Sequence, residues 1–196
     1  MTADSETALD AESILSDPWL NWKGHGEPTD TDDARRSRCI YIGCSDCRTV
    51  FMGRQKQALL AALAAADAGC EDLFDDNWNR YVVPGGAASL SRNFRDWQRD
   101  RRRVAFLVQH QLHGGETLVA VTHRNCGWVH KHQPDIPFAE AMLETIQAMQ
   151  EFQAQLALAH KSVRILVVAD RLHPDINQRY KVVADLKPLP EPLSIG

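Results

Sequence analysis

Two short segments of the sequence carry residue types that could bind a metal ion. Residues 44–48 read Cys-Ser-Asp-Cys-Arg, and residues 123–127 read His-Arg-Asn-Cys-Gly. Thiolate sulfur and imidazole nitrogen are donors that zinc takes in tetrahedral sites. If Cys44, His123 and Cys126 converge, they supply three ligands and leave one coordination position open. Because an open position is typical of a catalytic rather than a structural zinc ion, the pattern predicts a reactive Zn2+ centre.

Each segment directly follows a predicted buried strand, which explains how residues so distant in sequence could meet. Strands alternate with helical patterns along the chain, and this alternation predicts an α/β fold: a short parallel β-sheet flanked by helices. Ligands in such folds gather at the carboxyl ends of the strands. The strands are expected at residues 38–44, 79–83, 117–122 and 163–169. Helices are expected at residues 55–68 and 137–160, and residues 87–111 are helical in character with a polar, Arg-rich interruption.

The first part of the chain differs in composition from the rest. Residues 1–34 are polar and acidic, with one apolar patch that includes Trp19 and Trp22. We predict an N-terminal helical arm and linker over residues 1–34, followed by a zinc-binding α/β domain over residues 35–196. The arm could pack on its own domain or on a second subunit, and the sequence leaves both open.

Composition excludes several function classes. The 22 Lys and Arg residues against 26 Asp and Glu residues give a formal charge of −4, which argues against nucleic-acid binding by bulk charge. The sequence has no apolar run approaching the roughly 20 residues that span a bilayer, so no membrane partner is expected. The N-terminus is acidic where a signal peptide would be basic. We therefore predict a cytoplasmic protein, in which thiols stay reduced.

The combined pattern resembles that of the β-class carbonic anhydrases. In that family C-x-D-x-R, matched here by residues 44–48, is followed by H-x-x-C-G, matched here by residues 123–127. Residues 81–90 (YVVPGGAASL) resemble the family's strand, Gly-rich loop and helix start, and residues 112–121 (LHGGETLVAV) resemble the segment that leads to its histidine. The resemblance covers roughly residues 36–130 and weakens towards residue 182.

The resemblance implies a function and a role for each motif residue. Cys44, His123 and Cys126 would hold Zn2+, and the substrate would be carbon dioxide, hydrated reversibly to bicarbonate and a proton. Asp46 would accept a hydrogen bond from the zinc-bound water, and Arg48 would pair with Asp46 and keep it ionised. In some members of the family the matching aspartate ligates the zinc in place of water, so Asp46 could instead act as an off-switch that is released when its pair with Arg48 breaks. The resemblance also implies a homodimer or a higher even oligomer, with the site near a subunit interface.

Three departures from the family pattern leave alternatives open. Position 47 is Cys where the family usually has Ser, the loop at Gly85 and Gly86 begins with Val-Pro, and residues 92–103 form an Arg-rich insertion. Gly85 and Gly86 are the expected substrate-pocket residues. One alternative is hydrolysis of carbonyl sulfide or carbon disulfide at the same zinc, and a second is a non-catalytic scaffolding relative. A closed structural site that adds Cys47 as a fourth ligand, or a Cys44–Cys47 redox pair, also fits parts of the pattern.

The remaining candidates have simpler interpretations. Cys39 and Cys70 are expected to be small core residues. The arginines between positions 92 and 103 are expected to form a solvated helix face paired with Asp96 and Asp100, or else a face that binds an anion or another subunit. Four histidines near the motifs are expected on the surface or at the edge of the core, with proton shuttling as the minor alternative: His110, His113, His130 and His132.

Overall fold

A five-stranded sheet forms the centre of the fold, with its strands in the order β2-β1-β3-β4-β5. The computed structural model describes residues 39–46, 54–70, 73, 80–110, 117–159 and 161–189. The strands are β1 (Cys39–Cys44), β2 (Arg80–Val83), β3 (Thr117–His123), β4 (Arg164–Asp170) and β5 (Tyr180–Leu186). The α-helices are α1 (Arg54–Ala64), α2 (Trp97–His110), α3 (Gly127–His132) and α4 (Phe138–Leu158), and short 3₁₀ helices cover Gly86–Leu90 and Ile176–Gln178.

Strands β1 to β4 pair in parallel, as the alternation of strands and helices predicts. The prediction of a purely parallel sheet is wrong in one respect, because β5 pairs with β4 in antiparallel fashion. Residues 171–179, which join these two strands, contain one turn of 3₁₀ helix. A parallel return needs a longer crossover connection, so this connection returns the chain antiparallel and makes the sheet mixed.

The sheet is buried on both faces, which is why its central strands are continuous apolar runs. In β1, Ile40 and Ile42 face one layer, whereas Cys39 and Tyr41 face the other. The first layer packs against α2 and α4 through residues such as Phe152. The second packs against α1 through its Ala- and Leu-rich sequence, which strongly favours a helix. Both layers therefore hold β1 and β3 in place, and with them the strand ends that carry the motifs.

Several predictions fall on residues outside the described part of the chain. They concern the N-terminal arm over residues 1–34, Cys47, Arg48 and His113. Among the described residues, every helix is too short or too polar to cross a membrane.

Candidate metal centre

The three predicted ligands come together at the carboxyl ends of two neighbouring strands. Cys44 is the last residue of β1, His123 is the last residue of β3, and Cys126 lies in the turn that leads into α3. Asn125 makes that turn possible with a left-handed φ of 54°. The ligand atoms of all three residues lie within 4.8 Å of one another, and all three residues are buried. This group could hold a metal ion.

The spacing of the two sulfurs fits a shared tetrahedral ion. Cys44 Sγ lies 3.8 Å from Cys126 Sγ. Two sulfurs that each lie about 2.3 Å from a tetrahedral zinc ion are separated by about 3.8 Å. A disulfide would instead bring them to about 2.05 Å. The distance therefore matches two thiolates arranged around a cation.

His123 offers a nitrogen that is already oriented for a metal. Its Nδ1 lies 2.9 Å from the carbonyl oxygen of Arg124, and because a carbonyl only accepts, Nδ1 carries the proton and donates it. Nε2 therefore presents its lone pair. It is buried and has no hydrogen-bond partner among the described residues. A buried nitrogen without a partner is costly unless something binds it, and metal-ligating histidines are oriented in this way by their second nitrogen.

The shared hydrogen bond shifts the pKa values of the two thiols in opposite directions. The hydrogen bond shared with Cys126, together with burial, raises the pKa of Cys44. The same hydrogen bond lowers the pKa of Cys126, helped by His123 and by the backbone N–H of Val129. The first proton of the pair therefore leaves more readily than the second, and a positive ion beside the two sulfurs would favour loss of both. Backbone N–H groups stabilise the Cys44 thiolate, with the N–H of Asp46 donating over 3.4 Å to Cys44 Sγ.

The Asp46 carboxylate lies beside this group. Its Oδ2 is 4.0 Å from His123 Nε2, and the side chain is 20% exposed, so it lies between the buried donors and solvent. Burial opposes protonation of His123, but the proximity of Cys126, the Arg124 carbonyl and Asp46 outweighs burial and raises the pKa of His123. Asp46 is therefore placed to act on whatever binds at the open side of the three donors. Arg48, its predicted partner, lies outside the described residues.

A buried ion pair supports His123 from behind, and sequence analysis missed it. Asp170 at the end of β4 is paired in register with His123 and is fully buried. Arg179 donates to its carboxylate through Nε and Nη2, each over 2.8 Å. The Asp170 carbonyl then accepts from the Arg124 N–H over 2.8 Å. Because the Arg124 carbonyl accepts from His123, a continuous chain of contacts links the ion pair to the orientation of the imidazole.

Gly85 and Gly86 allow close packing of the loop beneath the site. Both have left-handed φ angles, 86° and 56°. A Cβ on Gly86 would lie 2.7 Å from the Val121 carbonyl and 2.8 Å from the Cys44 nitrogen, and a Cβ on Gly85 would collide with the Trp128 ring. Only glycine fits at these two positions: Gly86 brings the loop against β1 and β3, which carry ligands, and Gly85 brings it against α3, which directly follows Cys126.

A cavity lies next to the donors, on the side of His123 and Cys126. It has a volume of about 380 Å³ and a mixed lining in which His123 and Cys126 take part. Apolar side chains, among them Val129, Ile136 and Phe138, form much of its wall, and neither Gly85 nor Gly86 belongs to the lining. The prediction that these glycines line the substrate pocket is not tested by this geometry.

Among the other singled-out residues, His130 lines the cavity next to the donors. Cys39 and Cys70 are buried, as predicted. His130 and His132 are exposed, and His132 also contacts the Trp128 ring. The Arg-rich segment is only partly a solvated face: Arg99 pairs with Asp96 and Asp100 as expected. Arg101, however, is 3% exposed. It donates to the Leu90 carbonyl and to Glu151, so the expectation that the whole cluster is solvated is wrong.

Comparisons with known proteins assign no family. No protein-family model, no curated protein and no solved structure matches the chain. What can be said of function therefore rests on the residues of the site and on their geometry.

Proposed function

We propose that this protein is a zinc-dependent enzyme of the β-class carbonic anhydrase type, which hydrates carbon dioxide reversibly to bicarbonate and a proton. The observation that carries the proposal is the convergence of Cys44, His123 and Cys126, with their two sulfurs 3.8 Å apart and the Asp46 carboxylate beside them. Sulfur and imidazole donors in this arrangement favour zinc over harder cations such as magnesium.

In the proposed reaction, the zinc ion and the Asp46 carboxylate would together promote the ionisation of a water molecule. A bound zinc ion supplies Lewis acidity, which lowers the pKa of a coordinated water molecule towards neutrality. Two thiolates neutralise the ion, so a third group that accepts a hydrogen bond helps this ionisation. Asp46, which is partly exposed and has its Oδ2 4.0 Å from His123 Nε2, would accept that hydrogen bond and orient the water molecule. We propose that Arg48 keeps Asp46 ionised.

The neighbouring cavity suits a small apolar substrate. Its volume of about 380 Å³ is ample for carbon dioxide, and its lining combines apolar residues such as Ile136 with polar residues such as Asn125 and Asp135. An apolar wall binds a molecule without net charge in preference to water. The cavity would equally admit carbonyl sulfide, which is why substrate identity has to be tested directly.

Location and assembly follow as further parts of the proposal. A reducing compartment keeps cysteines available as thiolates for a metal, and we therefore propose a cytoplasmic location. The resemblance to the family also leads us to propose a homodimer or a higher even oligomer.

The test is the rate of carbon dioxide hydration by stopped-flow mixing, using zinc-loaded protein under reducing conditions from about pH 7 to 9. The wild type should be active, and Asp46→Asn should lose at least about 100-fold in kcat because a neutral amide is a far weaker acceptor. Asp96→Asn, which alters an exposed carboxylate directly before α2, is the matched control and should retain the wild-type rate.

Three results would contradict the proposal, and they point in different directions. Activity only on carbonyl sulfide would assign the same site to the other substrate. A zinc-loaded wild type that is inactive on both substrates would identify a non-catalytic protein. Full activity of Asp46→Asn would remove the proposed role of the carboxylate.

A further inference from the structure

Two cysteines outside the metal centre lie unusually close together. Cys39 Sγ is 2.7 Å from Cys70 Sγ, and the two residues are 31 positions apart in the sequence. This separation is about 0.7 Å longer than a disulfide bond of about 2.05 Å. The sulfurs of Cys44 and Cys126, which the proposed zinc ion separates, are by contrast 3.8 Å apart. The two pairs therefore differ in kind.

We propose that Cys39 and Cys70 are an oxidation site, at which a peroxide converts the two thiols to a disulfide. The backbone already brings the sulfurs together, so only a small shift is needed to form the bond. The Cys39 thiol donates to the Cys70 sulfur, and the Cys70 thiol donates over 3.4 Å to the Ala68 carbonyl. These contacts keep the two sulfurs in the same pocket of the core.

The reaction balances with one peroxide for each pair. One sulfur attacks a peroxide oxygen, the O–O bond breaks, and the sulfenic acid forms with release of water. The second sulfur then attacks the sulfenic sulfur, the S–O bond breaks, and the hydroxyl leaves with a proton as a second water molecule. Two electrons pass from the two sulfurs to the peroxide, and both thiol protons end in water.

The buried pair lies next to an exposed residue of the chain. Cys39 and Cys70 are only 1% and 3% exposed, but Gly69, which precedes Cys70, is exposed to solvent. The Gly69 carbonyl lies 3.8 Å from Cys39 Sγ. Because Gly69 is exposed, a local opening of the chain at this residue would give a small peroxide access to the two thiols.

The site is separate from the metal centre. Cys39 begins β1 and Cys44 ends it, so at about 3.3 Å per residue the two lie roughly 16 Å apart. A disulfide at the start of the strand consumes no metal ligand. It joins β1 to the segment that follows α1, and this restricts the unfolded chain across the intervening residues.

The test uses the zinc-loaded full-length protein, in which the metal shields Cys44 and Cys126. After treatment with hydrogen peroxide, the protein is denatured in the presence of a maleimide, which alkylates the thiols that remain free. It is then digested, and its peptides are mapped by mass spectrometry. We expect a loss of about 2 Da, a Cys39–Cys70 cross-linked peptide that dithiothreitol abolishes, and an unchanged zinc content. The oxidised protein should also melt at a higher temperature than the reduced protein.

Other outcomes would overturn the proposal. A model dithiol peptide in the same tube reports whether enough peroxide was present. If the peptide is fully oxidised but both Cys39 and Cys70 are still labelled by the maleimide, the pair does not react. A cross-link from either cysteine to Cys47 would show that another thiol is the partner. A lower melting temperature of the oxidised form would show that the bond does not fit the native backbone. The Cys47→Ser variant is the matched control and should form the same Cys39–Cys70 link.

Discussion

The buried ion pair between Asp170 and Arg179 should contribute strongly to the free energy of unfolding. In the substitution Arg179→Met, the Asp170 carboxylate keeps only one of its three donors in the described structure, the Leu172 N–H at 2.8 Å. Asp170 is 0% exposed, so water cannot replace the lost guanidinium. Breaking a buried pair by removing one partner costs about 3–5 kcal/mol.

The exposed pair between Arg92 and Glu151 provides the matched control. Its side chains are 61% and 44% exposed, so Arg92→Met should lower the free energy of unfolding by no more than about 1 kcal/mol. Urea unfolding followed by circular dichroism measures both variants. For a chain of this size, Arg179→Met should also lower the melting temperature by about 6–20 °C. The double variant Asp170→Asn/Arg179→Met should recover part of the loss, because it removes the unpaired charge.

The same substitution should weaken metal binding, because the ion pair holds the backbone that orients His123. Loss of groups that orient a ligand typically costs about 10- to 100-fold in metal affinity. The zinc dissociation constant, measured by competition with a chromophoric chelator, should rise in Arg179→Met and stay unchanged in Arg92→Met. This reasoning would be refuted if Arg179→Met had the same free energy of unfolding as Arg92→Met and bound zinc with wild-type affinity.

Three further predictions concern packing, pH and the metal. Gly86→Ala should lower the free energy of unfolding by about 2 kcal/mol or more and should reduce zinc occupancy. Gly69 has a similar φ but open space around its Cβ, so Gly69→Ala should cost only the backbone strain of about 1 kcal/mol. Urea unfolding measures both variants. The Arg164 guanidinium and a neighbouring lysine lower the pKa of Asp185 to about 2, so the pair stabilises the fold above the unfolded pKa of about 3.9, and this gain is lost as pH falls through about 2. Asp185→Asn should therefore cost about 1 kcal/mol at pH 7, with the difference from wild type shrinking below about pH 4 in unfolding curves. Removal of zinc with a chelator should lower the melting temperature, and added zinc should restore it, since binding the folded state alone stabilises it.

The elements that carry the candidate site could be predicted from local patterns. The apolar runs of β1, β3 and β4 are long enough to indicate buried strands. The three donors could then be predicted because they are Cys and His residues that lie at or shortly after the end of a strand. The Ala- and Leu-rich sequence likewise predicts α1, although the structure ends this helix at Ala64, four residues before the predicted end. These features depend on residues near one another in the chain, which is why a single sequence contains them.

The missed features depend on contacts between distant residues. Strand β5 alternates buried or half-buried residues with exposed ones, and its pairing with β4 decides its state more than its own composition does. Arg101 reads as one more arginine in a charged run, and only packing against Glu151 and the Leu90 carbonyl makes it a buried residue. The Asp170–Arg179 pair gives no local pattern either, because its role depends on the register of β4 beside His123.

The central claim is that Cys44, His123 and Cys126 bind one zinc ion, with Cys44 and Cys126 as its two sulfur ligands. X-ray absorption spectroscopy at the zinc edge of the loaded, reduced protein tests it most directly. We predict two sulfur ligands at about 2.3 Å and two lighter ligands at about 2.0–2.1 Å, of which one comes from His123. A shell of three or four sulfurs would contradict the account by bringing a further cysteine onto the metal and closing the site, and a shell without sulfur would remove the proposed site altogether.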